Sequence, residues 1–450
     1  MIQIKYYTAL FILLTGIIFT SCRKSDYEIN GGQYTITDNG FGTGTVTWTS
    51  DKQYVLDGLV FVNDGQILTI KPGTVIKAKT GQGENASALI VARGGKIIAE
   101  GTAENPIVFT VEGDDLKGSV PLSAKGLWGG LIILGDAELN TSSGEASIEG
   151  IPFTEPRGNY GGTNNEDNSG ILRYVSIRHG GTNIGEGNEI NGLTLGGVGS
   201  GTIIEHVEII ANKDDGIECF GGTVNLKYIV IAFCGDDCFD FDNGYRGNGQ
   251  FWLAIQDPYE GDLIIEHDGG TDPINGLPYS FPKISNGTFI GRGSAILNNL
   301  IVFRENAGGT YANSIFLNQG YGITIEYNSD LENSYNNLEN NNLNIFSNVF
   351  YNVAENEEQN ILNVFSTQSI NLDTQNNYVD NYFLLGNNEI HNPGIVIEEA
   401  FMQLIPTNEL SGNIFSMNDR WFESVSYKGA FGYSNWANSW TLLSQEYFVN

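Results

Sequence analysis

Residues 212–243 carry the densest chemistry in the sequence. They read Asn-Lys-Asp-Asp-Gly-Ile-Glu-Cys-Phe-Gly-Gly-Thr-Val-Asn-Leu-Lys-Tyr-Ile-Val-Ile-Ala-Phe-Cys-Gly-Asp-Asp-Cys-Phe-Asp-Phe-Asp-Asn. The stretch contains itself twice. Asp214-Asp215-Gly216-Ile217-Glu218 lies over Asp236-Asp237-Cys238-Phe239-Asp240, 22 residues on, and Ile204–Ile209 lies over Leu226–Ile231. Residues one period apart in a solenoid stack on one another, at a spacing of roughly 4.8 Å. Asp214, Asp215, Glu218, Asp236, Asp237, Asp240 and Asp242 therefore converge on one patch. Like carboxylates so close must protonate or recruit a counter-ion. Ca2+, which takes six to eight oxygens, is the cofactor this set would hold. Period-two alternation puts Asp240 and Asp242 on one face, with Glu218 stacked on Asp240. The alternative is structural: Asp side chains capping turn amides, or paired with Lys213, Lys227 and Arg246.

The elements that must position these groups are short β-runs cut by turns. Tyr54–Ala78 alternates apolar and polar residues around Asp-Gly and Pro-Gly turns, and Ala88–Thr110, Leu127–Gly135, Leu172–Arg178, Leu193–Val198, Ile284–Gly291, Leu297–Phe303 and Asn344–Val353 continue the theme. A period near 22 residues marks a solenoid, and no helical period separates the runs, which excludes alternating strand–helix units. Breaks are expected at 113–126, 140–169, 256–282 and the Asn-rich 328–343. The 140–169 segment has no apolar run to bury and reads as a surface excursion, a common carrier of function. Ile397–Leu404 reads as a short helix. The aromatic-rich tail from 397 reads as the cap over the open end of the solenoid.

The composition fits this architecture: 58 Gly and 11 Pro in 450 residues, rich in turns. A net charge of −31 repels nucleic acid and attracts cations. Ala9–Phe19 is an apolar run of signal-peptide length ending at Phe19-Thr20-Ser21-Cys22, which resembles a bacterial lipoprotein signal. The expected organisation is a signal peptide over 1–21, a lipid-anchored tether over 22–42 beginning at the acylated Cys22, a β-helix over 43–396, and a C-terminal cap over 397–450. Cys219, Cys234 and Cys238 match no zinc spacing and read as core residues. Tyr245, Arg246, Trp252 and His267 are the candidate ligand-binding side chains beside the acidic patch, the aromatics as platforms for sugar rings.

Several stretches resemble the right-handed parallel β-helix of the pectin-lyase-like superfamily, and within it a group of lipoproteins from Bacteroidota. They are Leu68–Lys77, Gly101–Thr110, Trp128–Gly135, Arg173–Gly181, Asp214–Asn225 and Tyr427–Gly432. The resemblance implies an all-β, right-handed parallel β-helix solenoid with loop excursions and a C-terminal aromatic cap. A narrower resemblance links Asn212-Lys-Asp-Asp-Gly and Gly235-Asp-Asp-Cys to the polygalacturonase motifs. It implies Asp215, Asp236 and Asp237 as catalytic carboxylates, Asp237 as acid, in an inverting hydrolysis. Lys213-Asp214 replaces that family's single Thr, and its Gly-His-Gly and uronate-holding Arg-X-Lys have only His267-Asp-Gly-Gly and Lys283 as stand-ins. The expectation is a lipoprotein of the outer membrane, anchored through its acyl chains and facing the cell surface, with the periplasmic face as the alternative. Its role is binding or structural toward extracellular polysaccharide, not nucleic acid; the alternative is a polysaccharide hydrolase or lyase.

Overall fold

The computed structural model of the chain describes residues 26–30, 32–185, 188–270, 273–329, 333–398 and 400–448, with backbone alone at 26–30, 84, 183–185 and 188. The signal peptide and the lipidation site Cys22 lie outside the described residues.

Each coil has three sides. In the coil of residues 203–220, Ile203–Ile210 is one strand bent at His206, and Ile217–Phe220 forms the third side. The bend falls at a residue with positive φ in successive coils: Tyr174 at 50°, His206 at 55°, Tyr228 at 57°, Phe251 at 59° and Asn286 at 58°. Left-handed backbone at a bulky residue costs of order 1 kcal/mol or more. The four aromatic rings offset part of it by stacking, with centroids 4.3 Å apart for Tyr174–His206, 4.4 Å for His206–Tyr228 and 5.0 Å for Tyr228–Phe251.

The third sides join in one parallel sheet of ten strands, from Leu59–Val62 to Leu362–Phe365. Its register is regular where the sequence repeat is clearest: Thr194 faces Glu218, and Glu218 faces Asp240. Alternate residues point inward, so Ile217, Cys219, Phe239, Phe241, Ile265, Ile301 and Phe303 fill the core between the three sides. All three later cysteines are buried free thiols. The chain is thus an all-β parallel β-helix.

Several boundaries differ from expectation. The tether read over 22–42 is shortened, because Asp26–Asn30 pairs antiparallel with Gln33–Thr37, which in turn pairs parallel with Gln53–Leu56 as the first rung. Ile397–Leu404 is not a helix: Val396–Glu398 and Phe401–Gln403 form an antiparallel hairpin. The tail does not close the end of the solenoid. Asp373–Leu385 does so, a helix that inserts Val379, Tyr382 and Phe383 into the core beyond the last strand. Residues 402–443 instead run along the flank, where Met402, Leu404, Phe431 and Leu443 pack on Ile210, Val230, Leu253 and Ile290. The tail locks down through Glu208, a fully buried carboxyl that accepts the Leu442 and Leu443 amides at 2.9 Å each and the Ser176 hydroxyl at 2.5 Å.

Candidate functional site: a carboxylate ladder

The outward positions of the ten-stranded sheet form columns. One column runs Thr194, Glu218, Asp240, Glu266, Val302, Thr324, Asn363. A second column lies two residues before each strand, at the turn. There the Gly192 amide donates to the Asp215 carbonyl and the Gly216 amide to the Asp237 carbonyl, so Asn191, Asp215 and Asp237 stack. Three of the expected carboxylates meet where the columns adjoin: single oxygens of Asp215, Glu218 and Asp240 lie within 4.8 Å of one another. Two more triads extend the patch along the turn, Asp214 with Asp215 and Asp236, and Asp236 with Asp237 and Asp262. Asp242 stands beside them, its Oδ1 accepting the Asn243 amide at 2.6 Å.

The turn-capping alternative is partly realised. Asp215 Oδ1 accepts the Asp237 amide at 2.9 Å, and Asp237 Oδ1 accepts the Leu263 amide at 2.5 Å. Each cap uses one oxygen and leaves the other to the cluster. Two of the cations expected to pair with it bind elsewhere: Lys227 binds Glu423, and Arg246 binds Glu138 at 3.1 Å.

Electrostatics follow from this crowding. Burial first, then neighbouring carboxylates, raises every member of the patch with a resolved shift. Glu218 is held well above the usual range by burial, Glu149, Asp240 and Asp215. Asp240 is held there by burial, Glu266 and Asp268, with Arg304 opposing. Asp215 and Asp237 are likewise pushed well up by burial and then by neighbours, Asp237 first for Asp215 and Asp240 first for Asp237. Asp236 rises by burial and Asp262. Asp214 reaches about 8 through burial, Glu189, Glu149 and Asp236, and Glu266 about 7 through burial against the opposing Arg304. Among the described residues, a buried Asp240 Oδ1 finds no hydrogen-bond donor, nor does Oδ1 of the fully buried Asn191 that stacks over Asp215.

Residues outside the sequence repeat complete the site. Glu149 comes from the 140–169 excursion and brings its carboxyl against that of Glu218, a contact that pushes Glu218 up and Glu149 down. Asn191 Nδ2 donates to both, at 3.2 Å to Glu149. The excursion is not a free surface loop, since Ile148, Ile151 and Tyr160 pack on Ile132, Leu134 and Ile190. Isolated apolar residues, each facing the sheet, do what no apolar run was needed for. Glu266 and Asp268 continue the ladder, and Arg304 closes it with contacts of 2.5 Å to Asp268 and 2.8 Å to Glu266. They fell out of the repeat because the coil lengthens: Asp240 pairs with Glu266, 26 residues on, and Asp268 with Arg304, 36 residues on. The alternation Glu266-His267-Asp268 was the available signal.

Three expected ligand-binding residues are corrected. Tyr245, Trp252 and His267 are fully buried. Tyr245 donates to the Val224 carbonyl at 2.9 Å, and Trp252 stacks on Phe239 at 4.2 Å. His267 stacks on Phe303 at 4.4 Å, bonds the Tyr311 hydroxyl at 2.5 Å, and is driven by burial to a pKa of about 3. Each occupies an inward position of its coil, where a sugar cannot reach. Arg246 is half-buried, bound to Glu138 and to the Gly244 carbonyl. Of the expected catalytic set, Asp236 alone is exposed. Asp237 is 5 % exposed with one oxygen committed to Leu263, which removes it as a solvent-facing acid. Lys283 sits on another side of the coil, opposite Asn248.

Fold and site together define a parallel β-helix that carries an acidic ladder on one face. The chain belongs to the pectate-lyase like beta helix domain family, whose match spans residues 40–383. No curated protein matches the chain. Among solved structures, it is similar to a pectin methylesterase from Aspergillus niger at 13 % identity and a TM-score of 0.24, over 77 % of this chain and 89 % of that one.

Proposed function

We propose that the protein is an envelope-anchored β-helix that binds extracellular glycan and uses the ladder to hold a divalent cation, Ca2+ first. One observation carries the cation: Asp215, Glu218 and Asp240 present oxygens within 4.8 Å of one another, and Asp240 keeps an unsatisfied one. The donors are all oxygen, which favours a hard cation over a transition metal. Asp214, Asp236, Asp237 and Asp262 extend the donor set along the turn. The envelope location is supported by the apolar N-terminal run and Cys22; the glycan role is supported by the β-helix family and by the long outward face beside the ladder.

A second reading has its own observation. The Glu149 carboxyl meets that of the buried Glu218, which is held well above the usual range, and Asp240 stacks on Glu218. A protonated carboxyl beside an ionisable one is the equipment of a glycoside hydrolase. On that reading Glu218 and Glu149, rather than Asp237, carry the proton.

The test is a thermal melt at pH 8 with Ca2+ and with chelator, on wild type and Asp240→Asn. A cation at a hundredfold excess over its Kd adds about 2.7 kcal/mol, read as a rise of a few degrees that Asp240→Asn abolishes. Equal melts with Ca2+ and chelator would remove the cation from the reading. Turnover of a polysaccharide that Glu218→Gln lowers by two orders of magnitude or more would move the function to hydrolysis.

A further inference from the structure

The acidic column continues into a cleft. Beyond Glu266 the outward residues become Val302, Thr324 and Asn363, with Arg304, Glu326 and Phe365 beside them. A cavity of about 880 Å³ opens over these strands, lined also by Leu297 and Tyr321. Leu297 is 72 % exposed and Tyr321 43 %, so two apolar side chains stand free at the cleft without a core to fill. Neutral amides and hydroxyls line part of it: Asn299, Asn360, Asn363, Thr324 and Thr367. Apolar platforms with a few convergent polar groups are the usual make-up of a small-molecule site, and sugar rings offer both a C–H face and hydroxyls.

The charges in the cleft decide which sugar. Among the described residues, Glu305, Glu326 and Glu355 line it against a single cation, Arg304. Arg304 is already engaged by Asp268 through both carboxylate oxygens, at 2.5 and 2.9 Å, and by Glu266 at 2.8 Å. Glu326 is 6 % exposed, and its oxygens accept the Glu305 amide at 2.7 Å and the Asn328 side chain at 2.8 Å. A uronate chain laid in this cleft would find three carboxylates, a neutralised arginine, and the whole ladder upstream of it.

We infer that the cleft over Val302, Thr324 and Asn363 is a saccharide subsite for uncharged sugar chains, and that it excludes polyuronates. The inference rests on the glycan reading above and narrows it. Tyr321 and Leu297 are the platforms, and Asn363 faces the sugar hydroxyls. The ladder adjoins the subsite and lies along the path of the same chain.

The test is calorimetric titration of the full chain with neutral hexasaccharides (glucan, mannan and galactan) and with oligogalacturonate of equal length, each with chelator and with Ca2+. At least one neutral hexasaccharide is expected to bind in chelator, with affinity falling at least tenfold in Tyr321→Ala. Leu297→Ala is expected to weaken it less. Both side chains are exposed, so melting temperatures should be unchanged, which separates lost contact from lost fold. Oligogalacturonate should not bind in either condition. Oligogalacturonate binding as tightly as the neutral chains, with or without Ca2+, overturns the inference and leaves the glycan reading standing. Binding that Tyr321→Ala and Leu297→Ala leave untouched overturns it too, by placing the glycan elsewhere. Absence of binding by every chain tested overturns both.

Discussion

Two columns of the same solenoid show opposite consequences of stacking. On the ladder face, Glu218, Asp240 and Glu266 repeat a carboxylate in successive coils. On the flank, Tyr174, His206, Tyr228 and Phe251 repeat a ring in successive coils, at 4.3 to 5.0 Å. A β-helix amplifies whatever a rung carries. Stacked rings gain roughly 0.5–1.5 kcal/mol a pair beyond their area, which offsets part of the cost of four bulky residues in left-handed backbone. Stacked carboxylates accumulate repulsion, which burial worsens. The flank is then covered by the tail, with Trp436 edge-on to Tyr228 and Trp440 edge-on to Tyr174. On the ladder the Glu149 excursion covers Glu218, and Asp236 stays exposed at the turn. One column is finished as structure, and the other is left with unmet chemistry.

The strongest way to break the comparison is to unclasp the flank. Glu208→Ala removes the acceptor of two amides and a hydroxyl inside the protein. Hydrogen bonds to a charged group contribute about 1.5–3 kcal/mol each, so a loss of at least about 3 kcal/mol is expected in denaturant unfolding. Limited proteolysis should cut the tail first. An unchanged midpoint and an intact tail would show that apolar packing alone holds it.

A pH series without metal sharpens the contrast, because the two columns have opposite slopes. With Asp214 at about 8 and Glu266 at about 7 in the folded state, the folded protein keeps protons that the unfolded chain sheds near roughly pH 4. Stability contributed by the ladder is therefore full at low pH and is lost as pH rises through about 8. Asp240→Asn should flatten this slope and raise the metal-free midpoint at pH 8. A stability that climbs between pH 5 and 8 without metal would contradict the crowded ladder.

The smallest effect is expected on the flank. Burial, opposed by Glu205, holds His206 at about 4, so the folded state prefers its neutral ring. Stability contributed there is full above roughly pH 6.5 and falls as pH drops toward 4. His206→Phe should keep the stack, remove that acid limb and change the neutral-pH midpoint by less than about 1 kcal/mol. An acid limb that persists in His206→Phe would assign it to another group.

The sequence made much of this legible, and what it hid has a physical cause. The period of 22 placed Glu218 on Asp240 and Cys219 beneath Phe241, as observed. The same alternation that put Asp240 and Asp242 outward put Tyr245, Trp252 and His267 inward only once the strand starts were known, because a one-residue shift reverses every side chain. Glu266, Asp268 and Arg304 were hidden by insertions that stretched the coil without changing its register.

By itself, then, the sequence determined the parallel β-helix, its stacked acidic pairs and the loops that interrupt it, because these depend on period and alternation along the chain. Tertiary structure alone decided that Glu149 closes on Glu218, that Asp373–Leu385 caps the end, and that the tail clasps Glu208 on the flank. Those contacts join residues 69, and in the last case 234, positions apart. Only the packed coils bring such positions together, and no local pattern in the chain records which face a long excursion returns to.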